Sequence, residues 1–443
     1  MDLCDRVIDM SLNIAVIGSG IAGLTAASLL SKNHSVTIYE KKSQLGLGSE
    51  GLLLDVKGQQ IRVDVPPRVI NEVHYPNLFQ LLKENLVSTY PIYQQPNFSN
   101  EKGQRFFSLW SGKFNLPFMG QRYITFPKLD WTNIKWLARH GIELLKWIRL
   151  LNSKSYENLG LTVRLKPWLE QHGFSSSFIY DYLYSIWSLM CSANKSELDG
   201  YPARSMAQLF HHFSGFSCAH RIDGGTKALE KELIKNVDAI NLDCEVLNIS
   251  PSFTGTYVTT DTTNTEFDHV IVATEPAIAN RLLDTQFEQE KLFLEKVPYR
   301  STEMVMHTDA SLMPKKERDW TAVNMMQSKD KELWATVWMN PIEKIQLPFD
   351  LFQSWDPLHE IDETKVLARR QFHRSLLTPE SAQAMESLMS LQLSDNNRSL
   401  WFTGSYLTSQ VPLLEDGVRS ARQVSETINH LNTKMPQIKR PAA

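Results

Sequence analysis

The sequence predicts an α/β chain: a Rossmann-like domain built from discontinuous segments, completed by an α+β domain of mixed or antiparallel sheet plus helices. Three observations lead there. A short apolar run, Leu12 to Ile17, ends in Gly18-Ser19-Gly20-Ile21-Ala22-Gly23 and continues into alanines and leucines at helical spacing. Two further buried-strand runs, Asp268 to Thr274 and Ser399 to Gly404, return to the same style far downstream. Between them the regular alternation of strand and helix is lost, and hairpins and a long helical stretch take over.

A chain of 443 residues has room for about two or three domains. Its 42% hydrophobic and 21% charged residues describe an ordinary folded protein, with disorder confined to the ends. The balance of 46 Lys+Arg against 49 Asp+Glu leaves a net charge of −3, which offers no footprint for nucleic acid. Cys4, Cys191, Cys218 and Cys244 show no CxxC pair or metal-ligand spacing, so reduced thiols and no metal site are expected. The opening MDLCDRVIDMSLN has no apolar signal core, and no long apolar run follows, which predicts a cytoplasmic chain. The first nine residues read as an extension ahead of the first strand.

Leu12 to Ile17 is nearly continuous in apolar and β-branched residues, the pattern of a parallel strand buried on both faces. The helix that follows runs to Lys32, where Asn33-His34 breaks it, and a second strand from Ser35 to Tyr39 ends at Glu40. Gly18 permits the tight turn, Gly20 lets backbone approach a pyrophosphate, and Gly23 lets helix and strand pack closely. The helix starting near Ile21 and Ala22 presents unpaired N–H groups and a partial positive charge, which suit a diphosphate. Glu40 lies about 22 residues past Gly18, near the ~20 expected of the acid that holds an adenosine ribose. A carboxylate there disfavours a 2′-phosphate, despite Lys41 and Lys42. The unit therefore predicts dinucleotide binding and leaves FAD and NAD equal.

Downstream, Leu52 to Val65 reads as a hairpin around Lys57-Gly58, and Phe106 to Phe118 as another around Ser111-Gly112. From Leu129 to Met190 the period turns helical. Ile134, Leu137, Gly141, Leu144, Ile148 and Leu151 form one apolar stripe, with Lys135, Arg139, Lys146 and Arg149 outside it. This basic helix, with Trp131, Trp136 and Trp147, has two uses: packing on its own domain, which is the expectation, or peripheral contact with a membrane surface. Four strand-like runs between Arg300 and Phe372 look like a meander, and Trp334 to Met339 suggests a sheet that lines a cavity. Asp243 to Ile249 is strand-like. Glu415-Asp416-Gly417 precedes a helix from Val418 to Asn429, and Lys434 to Ala443 reads as a tail.

The three-part arrangement, with the βαβ unit, Gly224-Gly225-Thr226…Leu229, the VIVAT strand and Gly404…Glu415-Asp416-Gly417, resembles the flavin amine oxidase and phytoene desaturase superfamily. It is more closely similar to a bacterial branch of NAD/FAD-binding oxidoreductases associated with fatty-acid modification, through Val63-Asp64…Tyr75-Pro76-Asn77-Leu78, Pro202-Ala203-Arg204 and Met306-His307-Thr308-Asp309. The resemblance spans nearly the whole chain and implies FAD as cofactor. It implies an FAD-binding domain from 10–75, 215–285 and 395–433, and a substrate-binding domain from 76–214 and 286–394 with its helical part at about 129–213.

By the same resemblance, Gly18, Gly20 and Gly23 meet the FAD pyrophosphate with Ile21 and Ala22. Glu40, with Lys41 beside it, holds the adenosine ribose, and the backbone of Val246 faces the adenine. Ala273 and Thr274 close over the nucleotide, and Gly404 approaches the ribityl phosphate. Gly417 and Val418 open a helix aimed at the pyrimidine edge of the flavin, where a helix N-terminus stabilises the negative charge of the reduced ring. Gly48 and Ser49 stand where the family carries a GG-[RH] sequence, and Gly404-Ser405 where amine oxidases carry Gly-Glu. Tyr406 is the one aromatic residue found for the two rings that usually flank the flavin, which counts against an amine substrate.

Arg68, Glu72, His74, Tyr75 and Tyr406 are the residues near the expected flavin that would orient a carboxylate or move a proton. His307 and Trp338, on the strands read as a cavity sheet, are weaker candidates. The implied function is an FAD-dependent oxidoreductase that abstracts hydride from a hydrophobic, fatty-acyl or polyene substrate, by desaturation or redox-neutral double-bond isomerisation. The alternatives are a flavin amine oxidase and, from another class, a lipid or prenyl carrier of the GDP-dissociation-inhibitor type.

Overall fold

Strand Asn13–Ile17 lies at the centre of a five-stranded parallel sheet, flanked by Ser35–Tyr39 and Ala239–Asn241 on one side and His269–Val272 and Leu400–Phe402 on the other. The computed structural model describes residues 11–434 apart from 57, 94, 117–119, 212–217 and 345. The expected N-terminal extension and most of the expected tail lie outside the described residues. Alternate residues of the central strand feed opposite faces, as a strand buried on both sides requires. Ile14 and Val16 pack with Leu24, Ala27, Val424 and Ile428, from helices Ile21–Leu30 and Leu414–Lys434. Ala15 and Ile17 pack with Ile249, Val258 and Phe267, from a small three-stranded antiparallel sheet.

The expected hairpin at Leu52–Val56 and Gln59–Val63 forms, with Gly58 at positive φ in its turn. The second hairpin differs from expectation. One strand, Arg105–Leu116, runs straight through Ser111-Gly112 and pairs with Gly120–Pro127, so no turn lies at Ser111-Gly112; residues 117–119 lie outside the described residues. Gly112 is needed there for space, because a Cβ would land on the ring of Trp110. This hairpin joins an eight-stranded sheet with the strand Pro96–Asn100 and five strands between Tyr299 and Ser375. Consecutive strands Val323–Gln327, Leu333–Trp338 and Phe352–Trp355 do meander. Tyr299–His307, however, sits between Phe352–Trp355 and Val366–Ser375, and Val323–Gln327 pairs in parallel with Pro96–Asn100. The strand expected over Asp243 to Ile249 begins only at Asn248. The last helix starts at Leu414 rather than Val418, because Glu415 and Asp416 suit a helix's first turn.

A helical layer covers one face of the large sheet. Asp130 opens the helix Trp131–Asn152 by accepting from the N–H groups of Thr132 and Asn133. The buried face of this helix is Asn133, Trp136, His140, Trp147 and Leu151; of the expected core stripe, Leu151 is buried and Leu137 and Leu144 pack against the core, whereas Ile134 and Ile148 are exposed. The expectation followed aliphatic residues, whereas the two indoles bury more surface and decide which side turns inward. Trp136 stacks on Phe107, and Trp147 meets Trp168, Trp187 and Phe210.

Two histidines are folded into the sheets in neutral form. His269 accepts from the Trp401 indole N–H at 3.1 Å, and burial pushes its pKa down to about 4, against the pull of Asp268. His307 accepts from the N–H of Asp309 at 3.1 Å and bonds Ser354 Oγ at 2.8 Å, and burial holds it also at about 4. Protonation favours the unfolded chain, so the stability due to neutral rings is complete above the ordinary value near 6.5 and is lost as pH falls from there toward 4. The expected loss is up to about 3 kcal/mol for each ring. Urea unfolding followed between pH 7 and pH 4 checks this: His307→Gln should flatten the dependence by one ring's share, and an unchanged slope would contradict the assignment.

Candidate functional site

The glycine loop places its three glycines by three separate constraints. Gly18 has φ +99 and lies against the backbone of Ala273, a Cβ on Gly23 would strike the Gly18 carbonyl, and Gly20 faces open space. The helix beginning at Ile21 has no side-chain cap, so its first N–H groups are left for a ligand. Glu40 accepts from Ser19 N at 3.0 Å and Ser19 Oγ at 2.5 Å, and its other oxygen accepts from Lys42 N at 3.1 Å. The end of the second strand is thereby tied to the glycine loop.

A cavity of about 300 Å³ opens in front of Gly20, Ile21 and Ala22, with Ala273, Thr274 and Tyr406 on its walls. A second, of about 340 Å³, is lined largely by apolar groups such as Val69, Leu189, Val337, Trp355 and Leu413. Arg68, Met190, Arg374, Ser405 and Pro412 border both. A third, of about 200 Å³, continues from the second past Leu189, Met190 and Val323 toward Leu109, Tyr182 and Phe210. A polar chamber at the glycine loop thus leads into an apolar passage.

Three polar atoms at the junction lack hydrogen-bond partners. Arg68 Nε, Arg374 Nε and the Tyr406 hydroxyl are buried without a hydrogen bond among the described residues. Burial and the neighbouring Arg374 cation bring Arg68 down to about 10, so it stays charged at neutral pH; burial also lowers Arg374. Tyr75, raised to about 12 by burial and then by Asp416, and Tyr406, raised by burial, stay protonated. Buried guanidiniums are normally paired. Here Arg374 lies over the Trp355 ring at 5.8 Å, Asp64 acts on Arg68 from nearby and Glu275 stands on the polar cavity's wall, but neither arginine forms an ion pair among the described residues, which leaves the two open to an anion.

Of the other expected catalytic residues, His74 lines the apolar cavity, but its Nε2 donates to the Leu209 carbonyl at 3.1 Å and its Nδ1 lies 2.9 Å from Asn71 Nδ2. Glu72 is exposed and lies outside the cavity walls. His307 and Trp338 are held by Ser354 and Asp350 and border none of the three cavities.

Among the expected cofactor contacts, Gly48 donates its N–H to Glu230 at 2.6 Å, and Ser49 Oγ donates to Gly46 O at 3.1 Å. That segment is therefore braced by the protein itself. Lys41 is exposed, and Val246 is buried beneath the small sheet. Gly404 is bonded to Ser420 Oγ at 3.1 Å, while Gly417 and Val418 sit one turn into the last helix, where Gly417 lets it approach Ile21. Pro412 and Leu413, just ahead of that helix, and Leu414, its first residue, line the apolar cavity. Sequence reasoning missed Arg374: on a strand whose residues alternate in exposure between charged neighbours, no local signal separates it from Arg369 or Arg370.

The model of the family described as flavin containing amine oxidoreductase matches residues 21–317. A CLA-producing fatty acid isomerase from P. acnes superposes with a TM-score of 0.62 at 13% identity, covering 94% of this chain and 98% of the other. Putrescine oxidase bound to putrescine gives 0.64 at 12% identity, over 95% and 99% of the two chains. Cyclohexylamine oxidase from Brevibacterium oxydans IH-35A gives 0.61 at 13%, over 95% and 99%. No curated protein matches the sequence.

Two glycine substitutions separate ligand space from packing. Gly20→Ala should leave the thermal midpoint unchanged, since Gly20 has ordinary backbone angles and open space, yet weaken dinucleotide binding by about tenfold or more. Gly23→Ala should destabilise the fold by about 1–3 kcal/mol through overpacking. Calorimetry with and without added dinucleotide reads both; equal effects in the two variants would refute the distinction.

Proposed function

The chain belongs to the flavin-containing amine oxidoreductase family and is an FAD-dependent oxidoreductase, and we propose that its substrate is a long apolar acid of the fatty-acyl type. FAD fits the polar chamber, where the uncapped helix start and the open face of Gly20 suit a diphosphate. Ile21 and Ala22 would hold that diphosphate, with Ala273 and Thr274 alongside. When bound, FAD supplies hydride acceptance, and hydride return if the net reaction moves a double bond.

The observation that carries the substrate class is the Arg68–Arg374 couple where the polar chamber meets the apolar passage, two buried guanidiniums with no ion pair among the described residues and each with an unbonded Nε. A carboxylate held there by charge-assisted hydrogen bonds would leave its chain in the passage, against Leu189, Val323 and Val337. The apolar walls exclude water from a carbon centre, and Tyr75 and Tyr406 remain neutral donors beside it. The name of the P. acnes isomerase supports a fatty acid, and those of the two amine oxidases support an amine. The cationic couple weighs against an ammonium group and favours the acid, with desaturation or double-bond isomerisation as the reaction.

Anaerobic titration of the yellow protein tests this directly. Long-chain unsaturated acids should bleach or shift the flavin spectrum while amines leave it unchanged; bleaching by amines alone would sink the reading. Arg68→Gln and Arg374→Gln should weaken acid binding by about 10- to 100-fold with flavin content retained. Loss of flavin with no change in acid affinity would assign the arginines to the cofactor instead.

A further inference from the structure

The long helix Trp131–Asn152 is apolar on two opposite sides. Its inner side is the packed one described above. At about 100° per residue, Trp131, Ile134, Ala138, Ile142 and Leu145 fall on the other side, with Ile148 at its border. All are exposed: Ile142 is 85% accessible, Trp131 72% and, just ahead of the helix, Leu129 87%. Lys135, Arg139, Lys146 and Arg149 lie exposed along the same side. Glu143 is the sole acid within the helix, and its oxygens are engaged by His140 and by Ser175.

We propose that this outward face docks on the surface of an anionic lipid bilayer, with the helix lying in the interface. An apolar stripe about 25 Å long, with an indole at one end and cations alongside, matches an interfacial helix that buries its apolar side at the level of the headgroups. The charge pattern selects the partner. A second copy of the chain joined through the same face would set four cations against four, whereas anionic headgroups complement them. No helix among the described residues is long and apolar enough to cross a membrane, so the contact is peripheral.

The inner side gives the docking a use. Trp136 contacts Tyr182 and Trp147 contacts Phe210, and both of those partners line the ~200 Å³ cavity that continues the apolar passage. One helix therefore has lipid on its outside and the passage wall on its inside. That placement would let an acyl chain leave the bilayer without crossing water, a consequence that rests on the substrate reading above. The docking itself does not rest on it.

Flotation of the full-length, FAD-loaded protein tests docking without any turnover. The protein should float with phosphatidylcholine vesicles containing about a third phosphatidylglycerol and stay behind with pure phosphatidylcholine, as expected where headgroup charge contributes. Ile142→Ser with Leu145→Ser, and separately Lys135→Glu with Arg139→Glu, should each lower binding by about tenfold or more. Flavin absorbance and thermal midpoint should be unchanged, since these side chains touch neither core nor cavity. Wild-type protein that ignores anionic vesicles at low salt, or variants that float as wild type does, would overturn the proposal. So would sedimentation showing that the serine pair turns a dimer into a monomer with no vesicle binding in either form. Because flotation reads no chemistry, it can fail while fatty acids still bleach the flavin, and the reverse.

Discussion

Asp64 accepts from the N–H of Thr226 at 3.0 Å and from its hydroxyl at 2.8 Å, while its own carbonyl accepts from Gln353 at 3.0 Å. One residue thereby joins the hairpin after the nucleotide unit, the helix Gly225–Leu233 and the large sheet. Arg221 lies 3.9 Å from the Asp64 carboxylate and pairs with Glu343, whose carboxyl is pushed up to about 7 by burial. Stripping partners from a buried carboxylate costs about 3–5 kcal/mol, so this node fixes where the chain re-emerges. It re-emerges as Pro66-Pro67-Arg68, the segment that puts a cation between the two cavities. The cavity junction is thus a by-product of how Asp64 is held.

That node also marks how far sequence reasoning reaches. Val63-Asp64 and Gly224-Gly225-Thr226 were both legible as motifs, and they prove to be bonded to each other across 162 positions. The parallel sheet was legible because strands buried on both faces leave a continuous apolar run, which Ile14–Ile17 and Val270–Val272 both show. What failed were readings in which one residue type had two physical uses. Gly112 looked like a turn and is instead a clearing for Trp110. The long helix has apolar residues on two sides, and a periodicity count cannot tell which side meets the core. Arg374 carries no local mark, since what singles it out is a buried Nε with no hydrogen-bond partner among the described residues.

The division of the interior follows from the same constraint. Groups with spare hydrogen-bonding capacity gather at the glycine loop and at the cavity junction around Arg68, Arg374 and Tyr406, while aliphatic and aromatic walls run outward from there. Polar and apolar parts of one ligand, or of two, are therefore sorted by position along a single channel. The chain needs few charged side chains to do this. The backbone supplies much of the polarity, and burial keeps Tyr75 and Tyr406 protonated.

The parallel sheet has an implication for the order in which the chain can fold. His269–Val272 pairs with the first strand on one edge and with Leu400–Phe402 on the other. Until that late segment exists, a fully buried valine and isoleucine strand keeps one edge open, and helix Ile21–Leu30 lacks the cover of Leu414–Lys434. Contacts of such sequence separation close slowly, because loop entropy must be overcome before they form. During synthesis, most of the chain must emerge before that edge is covered, so the interval before the last strand and helix arrive is the one in which the chain is most open to wrong edge pairing.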